Sequence, residues 1–259
     1  ITSAKLSSNA NTITITQSAT VGSDTTYTIT FADVETTNYN IGTVTLNLTL
    51  TTDDVFEVNA GDIDAQDYTG TSISMDNTVG NTISGTINGE SKGKSDLESA
   101  NLAFSYSYQK DGEEAEVKNA GNYTVIIAIK NNKETSVTIN GVKVNASDTT
   151  TIKKEFSVSP ASLTLGELTV TSTKVYDGNT TLSDGQNYTI ALNGVKSEDT
   201  DDVSASATVE YDSADVGTTS VTASDITLTG DASGNYTLSE TSKTGTAIAI
   251  AKADNELTG

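Results

Sequence analysis

The sequence predicts an all-β chain built from tandem sandwich modules, and three observations predict it. Apolar and polar residues alternate with period two over many short runs. Thr, Val and Ile fill those runs while Gly, Asn and Asp punctuate them, which suits pleated strands joined by tight turns. No stretch carries a sustained helical period. The 259 residues suffice for two or three modules with lean cores, since 34% of residues are hydrophobic and 5% aromatic. Hydrophobicity this low also suits a disordered chain, and the long alternating runs decide against that reading.

The first module is expected over residues 1–87. "NTITIT" (11–16), "TYTITF" (26–31) and "GTVTLNLTL" (42–50) alternate strictly, and Val44, Leu46, Leu48 and Leu50 fall on one face. One apolar face and one polar face mark an antiparallel sheet with a single buried side. The run "NGESKGKSDLESAN" (88–101) breaks the alternation, so a boundary is placed at its start, and "KSDLESANL" fits one short helical turn.

A second module is expected over 88–159, with hairpin turns at Asp111-Gly112 and Asn140-Gly141 and its most apolar strand in "AGNYTVIIAIKNN". Pro160, the sole proline, suits a linker or sheet edge where no ladder donor is lost, and sets the second boundary. The third module, 160–252, repeats short strands with turn signals roughly every 8–12 residues. Residues 253–259 read as a linker or the start of another repeat. Immunoglobulin-like sandwiches are the expected fold for the modules, with a β-grasp-like unit open as an alternative for the middle one.

Asn-Tyr-Thr occurs three times, with Tyr123, Tyr188 and Tyr236 each opening a strand just after a Gly. A sugar-stacking platform is one reading. However, Tyr123 shares a face with Val125, Ile127 and Ile129, and Tyr188 with Ile190 and Leu192. Buried anchors, with hydroxyls turned to backbone partners, are therefore expected.

The third module also resembles a known family. "STKVYDGNTTL" (172–182) followed by "DVGTTSVTASDITLTGDASGNYTL" (215–238) is similar to the YDG repeat of bacterial haemagglutinin-type adhesins. The likeness rests on Lys174 through Gly178, Val216-Gly217, Leu228 through Gly230 and Asn235-Tyr236, within residues 170–250. It implies a secreted, repeat-built protein of the bacterial cell surface, and it brings no catalytic residue. The opening residue, Ile1, and a tail that reads as a hinge strand fit a slice of something longer.

Charge and absences narrow the chemistry. Thirty-five acidic residues against 14 basic ones, all lysine, give −21, a surface that repels nucleic acid and anionic membranes. Without Cys or His there is no ordinary zinc site, thiol nucleophile or Ser-His-Asp triad. No apolar run is long enough to insert in a membrane. The acidic stretches "GDIDAQD" (Asp62, Asp64, Asp67) and "SEDTDD" (Glu198, Asp199, Asp201, Asp202) are the candidate calcium ligands, since calcium takes about 6–8 oxygens. Neither has an EF-hand pattern, and a solvated acidic turn is the competing reading. An amide cross-link between a lysine and an Asn or Asp needs an acid beside both. Lys130, Lys143 and Lys174 lie near strand ends with no motif naming such a trio, so they read as exposed strand lysines that discourage edge pairing.

The expected function is a non-enzymatic stalk or spacer segment of an extracellular, cell-surface adhesin-like array. No cofactor is expected beyond calcium, and the chain is expected to be monomeric. Adjacent repeats of the same chain are the expected neighbours. The alternative is an adhesive module that grips a host glycan or matrix protein.

Overall fold

The computed structural model describes residues 3–6, 13–16, 25–35, 40–50, 53–182 and 186–254. The chain is all-β, as its alternation predicts. Two antiparallel hairpins come first: β1 (Ser3–Leu6) with β2 (Ile13–Thr16), and β3 (Thr25–Glu35) with β4 (Asn40–Leu50). β2, β3 and β4 fall on the three alternating runs read from the sequence.

Residues 53–159 form one unit of two five-stranded sheets. Its elements are β5 (Val55–Ala60), β6 (Gln66–Asp67), α1 (Asp76–Gly80), β7 (Ile83–Ile87), β8 (Glu90–Gly93) and α2 (Lys94–Ser99). They continue with β9 (Leu102–Lys110), β10 (Glu113–Glu114), β11 (Gly121–Asn131), β12 (Val137–Ile139), β13 (Val142–Val144) and β14 (Thr149–Ser159). One sheet has the order β13-β12-β5-β7-β8 and the other β10-β9-β11-β14-β6. Alternation sends Phe56, Val58, Val137 and Ile139 inward from the first sheet and Tyr123, Val125, Ile127, Ile129 and Phe156 from the second, into one shared core. The short helix foreseen in "KSDLESANL" is α2, which adds Leu97 to that core.

The boundary expected at 87/88 falls inside this unit. Asn88 and Gly89 (φ 51° and 87°) are the two-residue turn between β7 and β8, paired from Ile87↔Glu90 to Ser84↔Gly93. The same sheet continues through residues 137–144, because β12 runs parallel to β5. The Asp111-Gly112 and Asn140-Gly141 turns have the same positive φ pairs, as expected. Two of these turn asparagines also hold β5: Asn88 Oδ1 accepts from the Val55 amide, and Asn140 exchanges two bonds with the Val58 backbone.

Pro160 stands exposed between β14 and β15 (Ala161–Val170), where it withholds no ladder donor. The second unit continues with β16 (Tyr188–Asn193), β17 (Ser204–Tyr211), β18 (Ser220–Thr229), β19 (Tyr236–Leu238) and β20 (Lys243–Ala247). Its order is β16-β15-β20-β18-β17, with β19 on the first three residues of β15. Gly245 lets β20 approach closely, since a Cβ there would lie 2.2 Å from the Leu168 carbonyl oxygen. The sheet curls around Leu165, Leu168, Val209, Tyr211, Val221 and Ile250 until its edge strands meet.

Tyr188 latches that seam. Ala207 sits at a bulge between Ser206 and Thr208, where it drops out of the β17–β18 register. The Tyr188 hydroxyl donates to the Ala207 carbonyl and accepts from its amide, both at 2.9 Å. We predict that Tyr188→Phe lowers stability by about 1–3 kcal/mol, because two backbone groups lose their partner, and chemical denaturation measures this. An unchanged midpoint would mean that water replaces the hydroxyl without loss.

Candidate functional site at the joint between the two units

The two β units meet end to end. β15 leaves the joint as a continuation of β14, and the parallel pairing of β6 with the end of β14 brings Tyr68 to the same place. Leu163, Val203, Ala232 and Tyr236 of the second unit join the core cluster of the first. The Tyr68 and Tyr236 rings meet edge to face, with centroids 5.5 Å apart and planes at 83°.

At the centre of the contact lies a carboxylate. A 3-10 turn at Ser197–Asp199 tucks Asp199 inward, leaving it 6% exposed. Its Oδ2 accepts from the Tyr68 hydroxyl at 2.6 Å and from the Tyr236 hydroxyl at 2.5 Å. Tyr236 in turn accepts from the Lys196 amide at 3.0 Å. A buried carboxylate needs such donors, because leaving its charge unpaired away from water is costly. Burial, followed by the Asp199 carboxylate, pushes the Tyr236 hydroxyl up from 10.0 to about 12, and the same causes in the same order push Tyr68 higher still.

A second bridge lies alongside. Asn235, 8% exposed, accepts from the Ala120 amide at 2.9 Å, and its side-chain amide donates to Asn119 Oδ1 at 3.3 Å. Tyr123, just beyond, donates to the Asn119 carbonyl at 2.8 Å. All three Asn-Tyr-Thr tyrosines are therefore anchors with bonded hydroxyls, and two of them stand at or beside the joint. Gly70 has a related role: a Cβ there would lie 2.8 Å from Lys196 Cβ, at a φ of +84°.

The predicted calcium ligands are used differently. Asp62 pairs with Lys154 at 2.9 Å, which holds its carboxyl below the usual range. Asp64, Asp67, Glu198, Asp201 and Asp202 are exposed. The two acidic stretches do converge on the joint, yet through Tyr68 and Asp199 rather than through a cluster of carboxylates. Among the described residues, no group of three or more His, Cys, Asp or Glu is placed to hold a metal ion.

The loop "KVYDGN" has its own internal logic. Lys174 is not the exposed strand lysine expected from sequence: it is 1% exposed, whereas Lys130 and Lys143 are exposed. Its Nζ lies 2.7 Å from Asp177 Oδ2 and 3.2 Å from Asn179 Oδ1. The lysine holds the Asp177 carboxyl below its ordinary range. Gly178 supplies a φ of +80°, and Asp177 Oδ1 accepts from the Asn179 amide. Lysine, aspartate and glycine of the motif thus build the loop, while Tyr176 is 45% exposed.

These features define an all-β protein whose consecutive units share a buried polar joint. Residues 159–244, about a third of the chain, match the family model of the YDG domain, and the matched span opens one residue before Pro160. No curated protein matches the chain.

The phenols of the joint make stability depend on alkaline pH. In the unfolded chain they lose protons near pH 10, but in the folded chain only nearer 12 or above. Between those values the folded state holds more protons, so stability that is complete below pH 10 falls as pH rises toward 12. Circular dichroism with denaturant at each pH should show this fall, with a shallower slope in Tyr236→Phe. Equal slopes would place the titration outside the joint.

Proposed function

We propose that this chain is a non-enzymatic spacer segment of a modular bacterial surface or secreted protein, in which successive β units hold one another at a fixed angle. The observation that carries this reading is the buried joint. A freely jointed array needs only a flexible linker, whereas here Pro160 alone separates two strands, and apolar, aromatic and charged contacts cover the junction. The acidic surface keeps such an array soluble and self-repelling. Neighbouring repeats of the same chain are its partners in this reading, and the YDG match is consistent with such a setting.

Two consequences follow for experiment. Calorimetry of the intact chain should show residues 53–254 unfolding in one cooperative transition. Asp199→Ala orphans two buried phenols, at a cost of about 2–4 kcal/mol, and should split that transition into two as the units uncouple. Two transitions already present in the unaltered chain would sink the spacer mechanism. An array of host glycans and matrix proteins, probed with the labelled chain in calcium and in EDTA, addresses the adhesive alternative. The spacer reading expects no saturable binding in either condition.

A further inference from the structure

Lys174, Asp177 and Asn179 form a trio of reactive groups in the second unit that no part of the joint uses. The Lys174 side chain is wholly buried, and its amine meets these two exposed partners where the loop reaches the surface. Asn179 Oδ1 accepts from Lys174 and from Thr181 Oγ1 at 2.7 Å, so when the amine attacks, the threonine hydroxyl still polarises the carboxamide carbonyl. Asp177 Oδ2 takes the third role, a carboxylate 2.7 Å from the amine and able to carry its proton. The backbone fixes this arrangement, because the Lys174 carbonyl accepts from the Ala251 amide and the Tyr176 amide donates to the Ala251 carbonyl. Nucleophile, proton carrier and polarised electrophile therefore stand together in a loop that cannot open without releasing the 250–251 segment.

We propose that Lys174 and Asn179 join in an intramolecular amide bond, with Asp177 as the proton carrier. The Lys174 ammonium passes a proton to Asp177, and the neutral Nζ attacks Asn179 Cγ. The Nζ–Cγ bond forms, the Cγ–Nδ2 bond breaks, and the departing nitrogen collects protons from Asp177 and from the amine. The products are a secondary amide and one ammonium ion, so charge balances and no oxidant or reductant enters. Asp177 is more acidic than an ordinary carboxyl, which makes the first transfer uphill and the reaction slow. The bond has to form only once in the lifetime of each molecule, so slowness is no obstacle. The amide would tie the motif's lysine covalently across the turn that Gly178 makes, next to the segment by which the chain leaves the unit.

Intact-mass spectrometry of the full chain, denatured after storage at neutral pH, tests this without any variant. The expected mass is lower than that of the sequence by one ammonia, trypsin fails to cut after Lys174, and fragmentation places the loss between residues 174 and 179. Asn179→Ala, which keeps the Lys174–Asp177 ion pair and hence the loop, should restore the full mass and the cut. Asp177→Asn should accumulate the lighter species more slowly by tenfold or more. A full sequence mass with clean cleavage after Lys174 overturns the proposal. A mass deficit that survives in Asn179→Ala overturns it too, because the ammonia has then left another residue.

Discussion

The joint depends on one buried carboxylate. Asp199 sits where two β units abut, and its single oxygen Oδ2 receives the hydroxyls of Tyr68 from one unit and Tyr236 from the other. A charge in that position tolerates no rearrangement, since any relative motion of the units that breaks one bond leaves part of it unsatisfied. Apolar contact alone would permit sliding. The hydrogen bonds, flanked by Asn235 on Asn119 and Ala120, fix a particular angle and rotation. Direction is thus written in polar contacts on an apolar seat made by Leu163, Val203 and Ala232.

The same economy recurs elsewhere in a chain with few hydrophobic residues. Asn131 is fully buried, and its side-chain amide donates to the carbonyls of Thr135, Val144 and Asn145, so it organises the 131–148 region where a larger apolar core would otherwise be needed. Tyr188 satisfies a bulged residue across an open seam, and Lys174 fills the interior of its loop with an aliphatic stem capped by Asp177 and Asn179. A lean core is supplemented by polar groups that each meet several partners. These are also the places where a single substitution would be felt most.

Much of the fold was legible in the sequence, because period-two alternation and Asn-Gly or Asp-Gly turns are local signals. The three tyrosine anchors were legible for the same reason: each shares a strand face with aliphatic residues. The 87/88 boundary was misplaced because β8 is mostly exposed and so carries no alternation, which made a hairpin look like a linker. Of the joint, Tyr236 was visible as an anchor, and its partner was not. Asp199 is one acid in "SEDTDD", and what distinguishes it from Asp201 and Asp202 is the 3-10 turn that buries it against Tyr68, 131 residues earlier. Lys174 escaped for a different reason. Its partners lie only three and five residues away, but the loop geometry that folds them onto the amine follows from Gly178 and the pairing with Ala251.

A joint locked by Asp199 requires the two units to move as one body. Residual dipolar couplings for the backbone amides of residues 53–159 and 160–252, measured in one weakly aligning medium, report this directly. A shared buried joint predicts one alignment tensor, of equal magnitude and orientation, for both units in the frame of the structure. Two tensors of different magnitude would show independent tumbling, and would contradict a joint locked by Asp199.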